Sequence, residues 1–345
     1  MIKVWTGERL NYSYVPLLYP NWGTQTKDSH LFFSKKAFAR FNEPFVEITN
    51  DPFLADFLLV PHNFPTIINE KNYLKNFVRL SKQHNKKIIV FVYGDSNEKV
   101  KLPNAVVFRT SSFKKEKMAN EIIMPAFVED LAEVFNFKPR EKTNDKPVIG
   151  FCGWASVTGA KHRTKAFIKK ILWLAKGRGN VSIDGIALRK KIIKILKRSK
   201  IVKTNFIERK TYSGHASTIS IPQDKARREY VENMSNSDFA LVVRGNGNFS
   251  FRFYEALSAG RIPLFINTDC ALPLDGYIKY NNFVLFVDYN NIKNTAAIVA
   301  NFYKNISRDD FLSMQRKARE AFENFLRADK FLEFMFLKEG VKKFV

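Results

Sequence analysis

Residues 242–267 read VVRGNGNFSFRFYEALSAGRIPLFIN and gather side chains suited to holding an anion. A β-branched run enters a glycine-bearing loop, and a helix is expected from Phe251 to Ala259, stopped by Gly260. Arg244 and Arg252 can make charge-assisted hydrogen bonds to phosphate oxygens. Gly245 and Gly247 carry no Cβ and let a ligand approach the backbone. Ser250 stands at the expected N-cap, where its hydroxyl can accept from a first-turn amide. The unpaired amides and partial positive charge of a helix start favour an anion. Glu255 lies one helical turn after Arg252 on the same face. A carboxylate beside a diphosphate is repelled unless something donates to it, and a ribose diol donates twice. The two residues thus suit a nucleoside diphosphate. The competing reading is a surface Arg–Glu pair worth about 0.2–0.5 kcal/mol. The run GNGNFS departs from the dinucleotide fingerprint, with Ser250 in place of the third glycine, so a nicotinamide enzyme is not indicated.

The elements that must position these residues form two alternating series. In the first, IKVW (2–5), FVEI (45–48) and Phe57 to Val60, ended by Pro61, read as strands. KKIIVFV, NAVVFRTS and EIIMPAF follow as further strands, and Leu74, Phe77 and Val78 mark a helix over 71–85. Residues 137–147, FKPREKTNDKP, are charged and bounded by prolines, the signature of a linker. The second series holds strands at VIGFCGW (148–154), DFALVV, IPLFI and NFVLFVD (282–288). Its helices run over 165–175, 187–199 and 309–326, and their apolar stripes read as core. Strands without polar alternation, separated by helices, imply parallel sheets covered on both faces. Two Rossmann-like halves place the ligand in the cleft between them, beyond the carboxyl ends of the strands.

Bulk properties narrow the class. A chain of 345 residues suits two domains, and 33 phenylalanines supply core mass. No apolar run reaches the roughly 18 residues of a membrane span, and no secretory signal stands at the N-terminus, so a cytoplasmic protein is expected. The two cysteines, Cys152 and Cys270, provide neither a disulfide framework nor zinc spacing, and no metal site is expected. The net charge of +24 attracts phosphates of nucleic acid, lipid or nucleotide, or else is a solvated lysine surface.

Residues 230–287 resemble the exostosin-type glycosyltransferase domain. The resemblance rests on Tyr230, Ser237, Phe239, Gly245, Ser250, Arg252, Glu255, Ala256, Leu257, Gly260, Ile262, Pro263, Asp269, Leu272 and Pro273. Upstream, DPFLADFLLVP, NEIIMPAF and IGFCGWAS with Arg163 resemble further segments of that family. Arg261 replaces the family's cysteine before Ile-Pro, and its histidine-bearing segment is not found.

The resemblance implies an α/β chain of GT-B type, with two Rossmann-like domains whose parallel sheets face a central cleft. Residues 1–140 would form the acceptor half, 141–147 the linker and 148–308 the nucleotide-sugar half, with helical 309–345 packing back across both. It implies transfer from a nucleotide-sugar, a UDP-sugar foremost, with inversion and no required cofactor or metal. Arg244, Gly245, Ser250, Arg252 and Glu255 would bind the donor, joined by Lys161 or Arg163. An inverting transfer needs a base for the acceptor hydroxyl. Asp95 is named first and Glu8 second, while His62, Asp28 and His30 are candidates on the acceptor side. A glycan or lipid-linked acceptor and contact with an anionic inner membrane face would give the positive charge a use. The rivals are a basic nucleic-acid-binding protein, for which no recognition module is found, and a nucleotide-sugar epimerase of the same fold.

Overall fold

The computed structural model describes residues 1–24, 34–155, 184–215, 217–338 and 340–341. Its first half is a six-stranded sheet with strands β1 (Ile2–Trp5), β2 (Val46–Ile48), β3 (Phe57–Asn63), β4 (Lys87–Val92), β5 (Ala105–Arg109) and β6 (Glu121–Ile123). The order is β2-β1-β3-β4-β5-β6, and every pairing is parallel. The central strands are buried along almost their whole length, which is why their sequences show no polar alternation.

The second half is a five-stranded sheet of β7 (Val148–Trp154), β8 (Lys203–Arg209), β9 (Phe239–Val242), β10 (Ile262–Asn267) and β11 (Leu285–Asp288). Its order, β11-β10-β9-β7-β8, is also wholly parallel. The order reverses between β7 and β9, so the loops leaving those two strands part and leave a crevice. The expected architecture of two parallel sheets in an α/β chain is therefore present.

Three local features differ from the sequence expectations. β8 and the helix Gln223–Ser235 are not legible in the sequence, because β8 is an edge strand whose KTNFIER sequence has no fully buried residue and the helix is rich in charge. β3 does not stop at Pro61 but runs to Asn63, with a register shift after Leu59. Proline is tolerated there because the strand leaves its ladder, and its carbonyl accepts from Val15 N–H at 2.7 Å. The segment 137–147 is laid down on the second half rather than free. Arg140 exchanges backbone bonds with the Gln315 amide at 2.7 and 2.8 Å, and its side chain reaches Asp238 at 3.1 Å. Arg261, where the family resemblance leads one to expect cysteine, is buried and donates to Lys138 O at 2.9 Å, tying down the same segment. The expected helix over 165–175 lies outside the described residues.

The chain crosses between halves twice. After the helix Arg308–Ala321, which packs Phe311, Met314 and Ala318 into the second core, Ala328, Phe331, Leu332 and Phe336 enter the first core. Phe336 stacks on Phe108 with centroids 5.4 Å apart. A guanidinium clip, Arg319 to Asp130 at 2.8 Å, fastens the two crossings to each other.

His62, at the end of β3, is 1 % exposed. Its Nε2 accepts from Leu10 N–H at 3.1 Å, so Nδ1 carries the proton and faces Ser13 O at 3.2 Å. Burial lowers its pKa from the ordinary 6.5, against an opposing pull from the Ser13 and Tyr12 carbonyls. The unfolded chain then takes up the proton at higher pH than the folded one. Stability from this site is whole above pH 6.5 and is lost as the pH falls through the depressed folded value. Denaturant unfolding at pH 7.5 and 5.0 should show a steeper loss for the wild type than for His62→Gln; equal slopes would contradict this account.

Candidate active site

A cavity of about 630 Å³ opens between the halves at the β7/β9 switch point. Its floor is the loop after β9 and the start of the helix Phe251–Ser258. Arg252 and Glu255 both line it, one turn apart, yet each is held by other partners. The Arg252 guanidinium lies over the rings of Phe151 at 4.5 Å and Tyr230 at 4.9 Å, and donates to the Cys152 carbonyl. Glu255 Oε2 accepts from Tyr230 O–H at 2.6 Å, and Oε1 faces Arg227 Nη1 at 3.3 Å. Arg227 in turn contacts the buried carboxylate of Glu129, from the first crossing segment. Glu255 thus keeps a fixed direction, and the Arg252 guanidinium is held by π faces and a carbonyl instead of by Glu255.

Ser250 occupies the N-cap position and lines the cavity, but its side chain makes no capping bond. The cap is made by the backbone instead, Phe253 N–H to Ser250 O at 3.1 Å. Gly245 also lines the cavity. Arg244 does not: its side chain turns into the interface, with the guanidinium over Phe113 at 5.3 Å and Nη2 donating to Asn246 O at 2.9 Å. Gly247 is closed against the other half, since a Cβ there would meet Asp95 Cα at 2.8 Å. What needs that glycine is the approach of the Asp95 turn, not of a ligand.

Asp95 follows β4 and faces the cavity from the first half. Glu8 is exposed on the loop after β1, away from the cavity lining, with its backbone carbonyl accepting from Tyr73 O–H at 3.0 Å. His62 is likewise outside the lining, with both ring nitrogens engaged as described. An acceptor would have to displace backbone partners to reach it. Lys161, Arg163, Asp28 and His30 lie outside the described residues.

One residue the sequence reading passed over is Arg189. It sits in the helix Gly185–Arg198, whose stripe read as core, and it turns into the cavity. It donates to Trp154 O and Val243 O, both at 3.3 Å, thereby bridging the ends of β7 and β9. Among the described residues no carboxylate pairs with it within ion-pair distance. Burial, then the neighbouring Arg252 charge, push its pKa down to about 10. Gly185 offered a sequence signal. A Cβ there would meet Gly245 O at 2.1 Å, so a glycine in the helix's first turn marks where the β9 loop presses on it. Tyr212 and Ser213 complete the far wall, the Ser213 hydroxyl buried without a hydrogen-bond partner among the described residues.

Residues 155–302 match the family model of the Exostosin GT47 domain. The chain is 31% identical over 102 residues to the Exostosin-1 homolog of Caenorhabditis elegans, covering 30% of this chain and 26% of that protein. Exostosin-1c of Danio rerio is 40% identical over 63 residues, covering 18% and 8% respectively. Exostosin-1 of Drosophila melanogaster is 28% identical over 99 residues, covering 29% and 12%. These matches therefore span about a quarter or less of the relatives' own length. Among solved structures, S. aureus TarM in complex with fondaparinux, alpha-GlcNAc-glycerol and UDP aligns with a TM-score of 0.38 and 11% identity, over 82% of this chain and 55% of that one.

Arg189 and Arg252 side by side hold positive charge at a desolvation cost that a bound polyanion would offset. Inorganic pyrophosphate should raise the unfolding temperature of the wild type. Arg189→Met should unfold at a higher temperature without ligand and lose most of that gain. Scanning fluorimetry reads both, and an undiminished pyrophosphate effect in the variant would rule out Arg189 as an anion contact.

Proposed function

We propose that this protein is an exostosin-like glycosyltransferase. It moves a sugar from a nucleotide-sugar, a UDP-sugar foremost, to a glycan or lipid-linked glycan acceptor in cell-surface polysaccharide or lipopolysaccharide synthesis. The observation that carries the reading is the switch-point cavity, in which Arg252, Arg189 and a helix start without a side-chain cap surround one place, with Glu255 a turn deeper. The match to the Exostosin GT47 domain over the same loop supports it.

In this reading the diphosphate lies against the Arg252 and Arg189 guanidiniums and the amides that open the helix Phe251–Ser258. The ribose hydroxyls donate to Glu255, which Tyr230 and Arg227 hold in place. Asp95 takes the proton of the acceptor hydroxyl as its oxygen bonds to the anomeric carbon. The bond from that carbon to the phosphate oxygen breaks on the opposite face, so the configuration inverts. The leaving diphosphate keeps the electron pair, and its charge is neutralised by guanidinium groups that need no reorganisation. No metal enters the proposal.

Two experiments test donor binding and metal independence together. Glu255→Ala should weaken UDP binding by about 1–3 kcal/mol, the scale of a charged hydrogen bond lost at a buried site, as read by calorimetry on a variant with unchanged circular dichroism. Transfer from the UDP-sugar should persist in excess chelator. Unchanged UDP affinity would remove the ribose role, and loss of transfer with chelator would remove the metal-free mechanism.

No helix among the described residues is long and apolar enough to cross a membrane. The helix Gly185–Arg198 exposes Lys190, Lys191, Lys194, Lys197 and Arg198 on its outer face, Lys197 paired with Glu208 of β8, and the helix itself contains no acidic residue. We assign to this face a peripheral contact with an anionic membrane surface, where each basic residue contributes about 1 kcal/mol. Co-sedimentation with phosphatidylglycerol vesicles but not with phosphatidylcholine vesicles is expected. Equal partitioning would end the assignment.

A further inference from the structure

Asp95 stands on a turn held from behind by three consecutive residues of the next strand and its exit. Arg109, paired with Glu121 and 3 % exposed, donates to Ser96 O at 3.2 Å and Glu98 O at 3.0 Å. The Thr110 hydroxyl accepts from Gly94 N–H at 3.0 Å and donates to Gly94 O at 2.9 Å. The Ser111 hydroxyl donates to Asn97 Oδ1 at 2.5 Å. That same hydroxyl accepts from the backbone N–H of Asn248 at 2.8 Å, in the loop after β9 of the other half. Asn248 is fully buried, and its side chain is satisfied all round. Its amide donates to the carbonyls of Ser112, Thr268 and Asp269, each at 3.2 Å, and its Oδ1 accepts from Thr268 at 2.6 Å. The neighbouring Gly247 lies in backbone contact with Asp95 itself.

We propose that Ser111 and Asn248 are positioning residues that join the Asp95 turn and the Gly245 loop into one hydrogen-bonded unit across the cleft. The inference rests on the functional reading above and adds to it. An anion that fixes the Gly245 loop also fixes the carboxylate that receives the acceptor's proton, and the coupling runs equally in the other direction. The Lys114–Asp275 pair at 2.9 Å also joins the halves, but it is exposed and belongs to neither the loop nor the turn. It can hold the halves together without relaying the position of either. Among the described residues, Ser111 is the one whose side chain hydrogen-bonds to both segments, one residue from Gly247 on one side and two from Asp95 on the other.

The test is hydrogen exchange of the full chain with and without UDP. In the wild type, UDP should slow exchange in 244–252 and also in 94–98, although the second segment belongs to the other half. In Ser111→Ala the protection of 244–252 should persist while that of 94–98 disappears. Lys114→Ala should retain both. In turnover, Ser111→Ala should lower kcat by about 100-fold, the effect of a reacting group misplaced by an ångström, while leaving the donor KM unchanged. Protection of 244–252 without 94–98 in the wild type would overturn the coupling and leave the donor reading intact. Absence of protection at both would remove the donor reading and this inference with it. Wild-type kcat in Ser111→Ala, alongside an inactive Asp95→Asn, would equally refute the positioning role.

Discussion

Positive charge held apart from carboxylate is the condition on which the cleft depends. Arg252 and Glu255 are close enough along one helix to neutralise each other, and they do not. Tyr230 stands between them, giving its ring face to the guanidinium and its hydroxyl to the carboxylate. Arg189 is treated likewise, its Nη1 and Nη2 donating to the strand-end carbonyls of Trp154 and Val243. A carbonyl completes a hydrogen bond but cancels no charge, so the two guanidiniums keep their positive charge in a largely desolvated place. That arrangement opposes folding and favours an anionic ligand, which is the usual trade at a binding site.

The rest of the fold keeps this charge in position. Reversal of strand order between β7 and β9 opens the crevice, and Gly185 lets the β9 loop lean on the helix that carries Arg189. The two crossings, clipped by Arg319 and Asp130, bring the first sheet against the opening. Phe331 and Phe336 then anchor the end of the chain in the first core. The cleft walls are therefore not two independent domains on a flexible tether. The charged segment 137–147 looks like such a tether in composition, but Gln315, Asp238 and Arg261 each fasten part of it.

Ser250, Arg244 and Gly247 each have a suitable residue type at a suitable place in a loop, and tertiary contacts give each a different part. Ser250 has the place without the bond, because the backbone carbonyl already makes the cap. Arg244 and Gly247 serve the interface, because the first half comes within contact of the loop and takes them up. His62 looked like a cleft residue because it ends a strand, but β3 leaves its ladder there and residues 10–15 fold over the imidazole. Arg189 was hidden by the strength of its neighbours' apolar stripe.

Local patterns alone determined the two alternating series, the positions of most strands, and the placing of Arg252 and Glu255 one turn apart at a strand–helix turn. These depend on side-chain periodicity and glycine or proline punctuation, which act over a few residues. Tertiary structure decided which charges face the cavity, which are consumed between the halves, and that Asp95 meets the Gly245 loop. Those outcomes depend on contacts between residues more than a hundred positions apart, such as Ser111 with Asn248. No short-range rule carries that information, because the free energy of a side chain is set by what packs against it.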